Sequence, residues 1–151
     1  MERLALARLL SAVTRIVVER MHAELAEAGH PGLRPAYGYA VFAVSRGDVT
    51  TSILAAELGM TKQGAAKLVA TLEELGYLER RAHSHDARAQ LLALTAHGDD
   101  LLRASARAQD QIEREWERLV GKQQIQSLRG TLEHVLEHRA DDEHIALRPI
   151  W

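Results

Sequence analysis

The chain has 151 residues, 46% of them hydrophobic and 26% charged, which is enough for one packed domain and too few for two independent ones. Aromatic residues make up only 4% while leucine and alanine abound, a balance that favours helices over a β-sandwich, and the absence of cysteine excludes disulfide staples and thiol-based redox sensing within the chain. The formal charge of −2 excludes a uniformly basic nucleic-acid coat, so any such role rests on how the charge is distributed.

No apolar run approaches a membrane span, and the opening MERLALARLL mixes acid and arginine into its leucines, unlike a signal peptide. A cytoplasmic chain is expected. Residues 2–28 repeat Leu6, Leu9, Leu10, Val13, Ile16, Val17, Met21 and Leu25 at helical spacing, so a long amphipathic helix is predicted, closed by Gly29, His30, Pro31 and Gly32. Pro35 suits the first turn of a second helix, Ala36 to Ser45, with Tyr37, Tyr39, Val41, Phe42 and Val44 in its apolar run.

Thr50 to Met60 then offers a hydroxyl cap, an apolar stripe at Ile53, Leu54 and Leu58, and Gly59, which can take the positive φ of a tight turn. Thr61 can cap a further helix whose apolar residues Ala65, Leu68, Val69, Leu72 and Leu75 share one face, and Gly76 stops it. Two short helices joined around a glycine are the helix-turn-helix pattern, in which the second helix offers its N-terminal part to the DNA major groove. The face opposite the buried stripe carries Gln63, Lys67, Ala70 and Glu74, with Gly64 and Ala66 on its flanks and Lys62 in the first turn. Small residues let the backbone approach base edges, Gln63 can pair with adenine, and the lysines can meet guanine or phosphate. The competing reading is a solvated face with two ordinary lysines.

Tyr77 to Arg81 and Ala89 to Thr95 read as two short strands joined by a polar loop, residues 82–88, and so as a hairpin wing. At its tip Asp86 and Arg88 lie two residues apart. On an extended segment that spacing puts them on one side, where the carboxylate can hold the guanidinium ready for a minor groove. His83 and His85 either touch phosphates or are simply solvated. His83, Ser84, His85 and Asp86 carry the letters of a hydrolytic triad, yet four consecutive hairpin residues cannot surround a sheltered substrate, so no enzyme is expected.

Thr95 can cap a long helix through Leu101, Leu102, Ser105, Ala108, Ile112, Trp116 and Leu119, broken at Gly121. The last predicted helix carries Ile125, Leu128, Leu132, Val135 and Leu136. On it His134 and His138 stand four apart, a metal-compatible spacing, but away from the leucine stripe and so facing water. Long apolar helices at both ends exceed what one small domain can cover, and self-association is the simplest remedy. Charge follows the same division. Residues 60–95 hold five bases against four acids, and residues 110–151 hold nine acids against six bases.

LAAELGMTKQGAAKLVATLEELGYLERR followed by HDARAQLLALTAHG resembles the MarR family of bacterial winged-helix transcription regulators. The resemblance rests on the leucine-alanine helix, the Gly-Met-Thr-Lys turn, the Leu-Glu-x-x-Gly-Tyr-Leu exit, the Asp-x-Arg of the wing and the Leu-x-Leu-Thr that opens the next helix. It departs from many members at Ala87, where a second basic residue is usual, so the wing is expected to hold DNA less tightly. The resemblance implies a mainly α fold with a small β-hairpin, a winged helix-turn-helix core flanked by N- and C-terminal dimerisation helices. In those terms residues 1–151 form a single domain. Residues 1–28 and 121–151 are the dimerisation helices, 34–95 the winged helix-turn-helix with its wing at 77–95, and 96–120 a long linking helix.

The resemblance further implies Thr61, Gln63, Lys67, Asp86 and Arg88 as DNA contacts. Lys62, Arg81, His83 and His85 join them as basic or hydrogen-bonding neighbours. Family members often bind aromatic acids or phenols between the dimer helices and the winged helix, which makes His22, His30, Arg34, Tyr37 and Tyr39 the candidate effector residues. No metal site and no cofactor beyond such an effector is expected. The expected function is a ligand-responsive repressor, a homodimer on a pseudo-palindromic operator in double-stranded DNA. The alternatives are a metal-responsive regulator of the same fold and a winged-helix protein-interaction module without specific DNA reading.

Overall fold

The computed structural model describes residues 4–82 and 90–140, with the side chains of 139 and 140 left aside. Six helices and a small sheet follow one another as α1 (Leu6–Glu27), α2 (Pro35–Ser45), β1 (Val49–Thr50), α3 (Thr51–Glu57), α4 (Lys62–Glu74), β2 (Leu78–Ala82), β3 (Gln90–Leu94), α5 (Ala96–Val120) and α6 (Lys122–Ala140). The fold is mainly α with one small antiparallel sheet, as the sequence implies.

Local chemistry sets most boundaries. Thr50, Thr61 and Thr95 each turn a hydroxyl back to accept the N–H of the third residue on, Ile53, Gly64 and Gly98 respectively, which satisfies one orphan donor at each helix start. Pro35 occupies the first turn of α2. Gly59 and Gly76 sit at φ +59° and +78°, the left-handed region where a Cβ is costly, and there the chain leaves α3 and α4.

The core gathers Ala40, Val41 and Val44 of α2, Leu54 and Leu58 at α3, Leu68, Val69 and Leu72 of α4, and Leu101 and Ala104 of α5 around Tyr77, Leu78 and Leu92. The α4 stripe is buried at Ala65, Leu68, Val69 and Leu72, as its spacing predicts, but Leu75 is exposed because it is already the residue that leaves the helix. Ile53 is likewise exposed. Leu54, Ala55 and Leu58 form the inward face of the seven-residue α3, which leaves Ile53 at its edge. On α5 the inward face is Leu101, Ala104, Ala108 and Ile112, and Leu119 near the end is 81% exposed.

The sheet has three strands, in the order β1-β3-β2, one more than the predicted hairpin. The added strand, β1, is two residues long, its Val49 opposite Leu92 and its Thr50 opposite Leu91, and only this tertiary pairing makes it a strand. The hairpin strands run Leu78–Ala82 and Gln90–Leu94, so Tyr77 precedes the sheet and Thr95 follows it. Glycine is required at 98 for contact rather than for φ. A Cβ there would lie 2.2 Å from the Tyr77 carbonyl oxygen, so the first turn of α5 lies directly against the foot of β2. Among the described residues no helix is long and apolar enough to cross a membrane.

Candidate nucleic-acid interface

The outward face of α4 is built by its cap and its buried stripe. Once Ala65, Leu68, Val69 and Leu72 point inward, Thr61, Lys62, Gln63, Ala66, Lys67 and Ala70 are left exposed, and they are so in the structure. Thr61 fixes the N-terminus through its 3.0 Å bond from the Gly64 N–H. The helix opens on its partial positive charge, with no acidic side chain in the first turn to neutralise it.

The cations around the module fall into two groups. Arg46 donates to Glu57 at 2.7 Å and lies over the Phe42 ring. Arg80 donates from Nε to both carboxylate oxygens of Glu73 at 3.1 Å, and Arg81 pairs with Glu79 at 2.6–2.8 Å. Lys62 and Lys67 make no ion pair among the described residues. A cation already paired in the free protein must give up that partner to meet phosphate, whereas Lys62 and Lys67 meet it at no such cost. Arg81, a candidate contact from sequence, thus has its charge already compensated by Glu79, unlike either lysine. Its pairing was readable from sequence, since Glu79 and Arg81 stand two apart on a strand and share one side.

The remaining wing candidates, His83, His85, Asp86 and Arg88, lie outside the described residues. The effector candidates are scattered. His22 and Tyr37 are half-buried, Arg34 and Tyr39 exposed, and His30 only 1% exposed. His30 has both ring nitrogens engaged, Nδ1 with the Tyr77 hydroxyl at 3.2 Å and Nε2 with Asp100 Oδ2 at 3.0 Å. Tyr77 and Asp100 are partners that sequence reasoning missed, lying 47 and 70 residues from His30. None of the five effector candidates lines an apolar groove of about 370 Å³ formed by α1, α5 and α6. That groove is bounded by Val17, Ile112, Trp116, Ile125, Leu128 and Leu132, with Glu113 and Arg129 paired at its edge. His134 and His138 are exposed on α6 with ring centroids 5.4 Å apart, and among the described residues no cluster of three metal-ligating side chains occurs.

No curated protein matches the sequence, but solved structures do. RV1404 from Mycobacterium tuberculosis superposes with a TM-score of 0.74 at 17% identity, covering 91% of this chain and 96% of that one. MepR, a transcription regulator of the Staphylococcus aureus multidrug efflux pump MepA, gives 0.70 at 15% identity, covering 89% and 98%. A Staphylococcus aureus MepR mutant bound to an oligodeoxyribonucleotide gives 0.62 at 16% identity, covering 90% and 99%. At these identities the likeness is one of fold. The family model that matches is that of the MarR family, over residues 32–89, from the loop before α2 to the residue before β3. That match covers the segment that holds α2, α3, α4 and β2, so residues 32–89 are similar to the MarR family, and the fold around them is a winged helix-turn-helix.

Proposed function

We propose that this chain is a sequence-specific, double-stranded DNA-binding transcription regulator, with α4 as the helix that enters the major groove. The observation that carries the reading is the exposed N-terminal half of α4, where Lys62 and Lys67 stand unpaired among the described residues beside Gln63 and the small Gly64 and Ala66. Positive charge and close backbone approach coincide there, which is what base-edge contact needs. A fold relative bound to an oligodeoxyribonucleotide supports the same reading.

The finer reading is a homodimeric repressor that leaves a pseudo-palindromic operator when a small aromatic or phenolic effector binds, acting in the cytoplasm and catalysing no reaction. Its dimeric part is supported by the apolar residues left exposed on the terminal helices, Leu6, Leu9, Leu10, Val13 and Ile16 on α1 and Leu128, Leu132, Val135 and Leu136 on α6. Rows of exposed leucine and valine on both ends are more than a soluble monomer ordinarily shows. Twofold pairing would set two recognition helices about 34–36 Å apart, one turn of DNA.

Gel shift on the DNA upstream of the chain's own gene tests this. Retention of a shifted band under excess nonspecific DNA is expected. A band abolished equally by specific and nonspecific competitor would leave a winged-helix module without sequence reading.

A further inference from the structure

The chain passes from α4 into β2 through a tight turn, in which the Gly76 N–H donates to the Glu73 carbonyl and the Tyr77 N–H to the Leu72 carbonyl. On β2 the core ends at Leu78, and Glu79 to Ala82 are exposed. Backbone bonds at the turn and one buried leucine hold the inner end of the strand but leave its outer part free to swing against α4.

Arg80 supplies a second attachment farther out. The alternation of a strand puts it on the same side as the buried Leu78, about 10 Å beyond Tyr77 at 3.3 Å per residue. There its Nε donates to both carboxylate oxygens of Glu73 in the last turn of α4, each at 3.1 Å, and its Nη1 reaches Gln90 Oε1 at 3.5 Å. Leu92 stands opposite Arg80 and Gln90 lies two residues before Leu92, so Gln90 is the diagonal neighbour on that side of the sheet. One guanidinium thus joins α4, β2 and β3. The pair is also the most sheltered of its kind. The Arg80 side chain is 34% exposed and that of Glu73 30%, whereas the arginine of every other described carboxylate pair is 44% exposed or more. Less solvent means less screening, so this pair holds its geometry better than those on the open surface.

We infer that Arg80 is a positioning residue for the DNA-reading surface: held by Glu73 and Gln90, it fixes the angle between the hairpin and α4, and so the distance along a duplex between what the helix reads and what the hairpin touches. The tie itself is a property of the free chain, and its effect on DNA rests on the function proposed above. The competing role, Arg80 as a phosphate contact, predicts the opposite sign when Glu73 is neutralised, because the guanidinium would then be released to DNA.

The test uses the full chain with Glu73→Gln, Arg80→Gln, both together, and the exchange Glu73→Arg with Arg80→Glu. Residual dipolar couplings of the backbone amides report orientation without DNA. In the wild type one alignment tensor should fit α4 together with the strands 78–82 and 90–94. In each single variant the tensor fitted to the strands should shrink relative to that of α4, and the exchanged pair should restore it. A single tensor that still fits both elements in the two single variants overturns the tie. In the DNA arm, either single variant should bind the operator about fivefold more weakly, roughly the worth of one partly sheltered ion pair. The double variant should be no weaker than either single one, since all three lack the same tie. The salt slope of Glu73→Gln should stay that of the wild type. Tighter binding by Glu73→Gln, with a slope steeper by about 1.8 per dimer, would make Arg80 a phosphate contact and overturn the inference. Shrunken tensors beside unaltered affinity overturn the link to DNA. A wild-type chain that binds no DNA refutes the DNA-reading proposal instead, while the couplings still decide the tie.

Discussion

Replacing Lys62 by alanine removes a cation that is exposed in the first turn of α4 and owes nothing to an ion-pair partner among the described residues. Its whole charge is therefore available to a DNA phosphate, and each phosphate neutralised on B-DNA contributes about −0.9 to the slope of log affinity against log salt. A dimer loses two such contacts, so the slope of Lys62→Ala should be shallower by about 1.8. Between 50 and 200 mM salt that amounts to about twelvefold less loss of affinity than in the wild type. The change should be alike on every sequence, because a phosphate contact carries no base information. Fluorescence anisotropy on one labelled duplex over that salt range measures it, with Lys122→Ala at the start of α6 as the control expected to keep the wild-type slope. A Lys62→Ala protein with an unaltered slope would refute the assignment of this lysine to the phosphate backbone, and with it the orientation of α4.

Two further outcomes are expected. Leu132→Asp puts a charge on the exposed α6 stripe, and sedimentation at micromolar concentration should show a monomer where the wild type is a dimer, with operator binding lost although α4 is intact; a dimeric variant that still binds would remove α6 from the interface. Gly98→Ala drives a Cβ to within 2.2 Å of the Tyr77 carbonyl oxygen and must shift backbone, so thermal unfolding should begin about 3–10 °C lower, from about 1–3 kcal/mol of overpacking; an unchanged midpoint would show that α5 and the foot of β2 separate at no cost.

What sequence reading recovers depends on how far apart the partners are. The caps at Thr50, Thr61 and Thr95 were legible because each hydroxyl bonds a backbone N–H three residues on. The α4 face was legible too, since one repeating stripe fixes both the buried side and the side left exposed. β1 was not, because a two-residue strand has no periodicity and exists only by pairing with Leu91 and Leu92 some forty residues later. His30 was grouped with Tyr37 and Tyr39 by proximity in the chain, whereas its partners come from the foot of the sheet and from α5. Leu75 was placed on the buried face of α4 because an apolar residue at helical spacing does not reveal that its helix has ended.

Base reading by α4 is the central claim, and Gln63 is the residue that tests it most directly. It is exposed beside Gly64 on the outward face and is the side chain there able to pair with an adenine edge. Selection of bound duplexes from random DNA, run in parallel with the wild type and with Gln63→Ala, gives a consensus for each. The account predicts a half-site in which one or two positions lose their preference in Gln63→Ala while the rest of the consensus stands. The same consensus from both proteins, at matched salt, would contradict it.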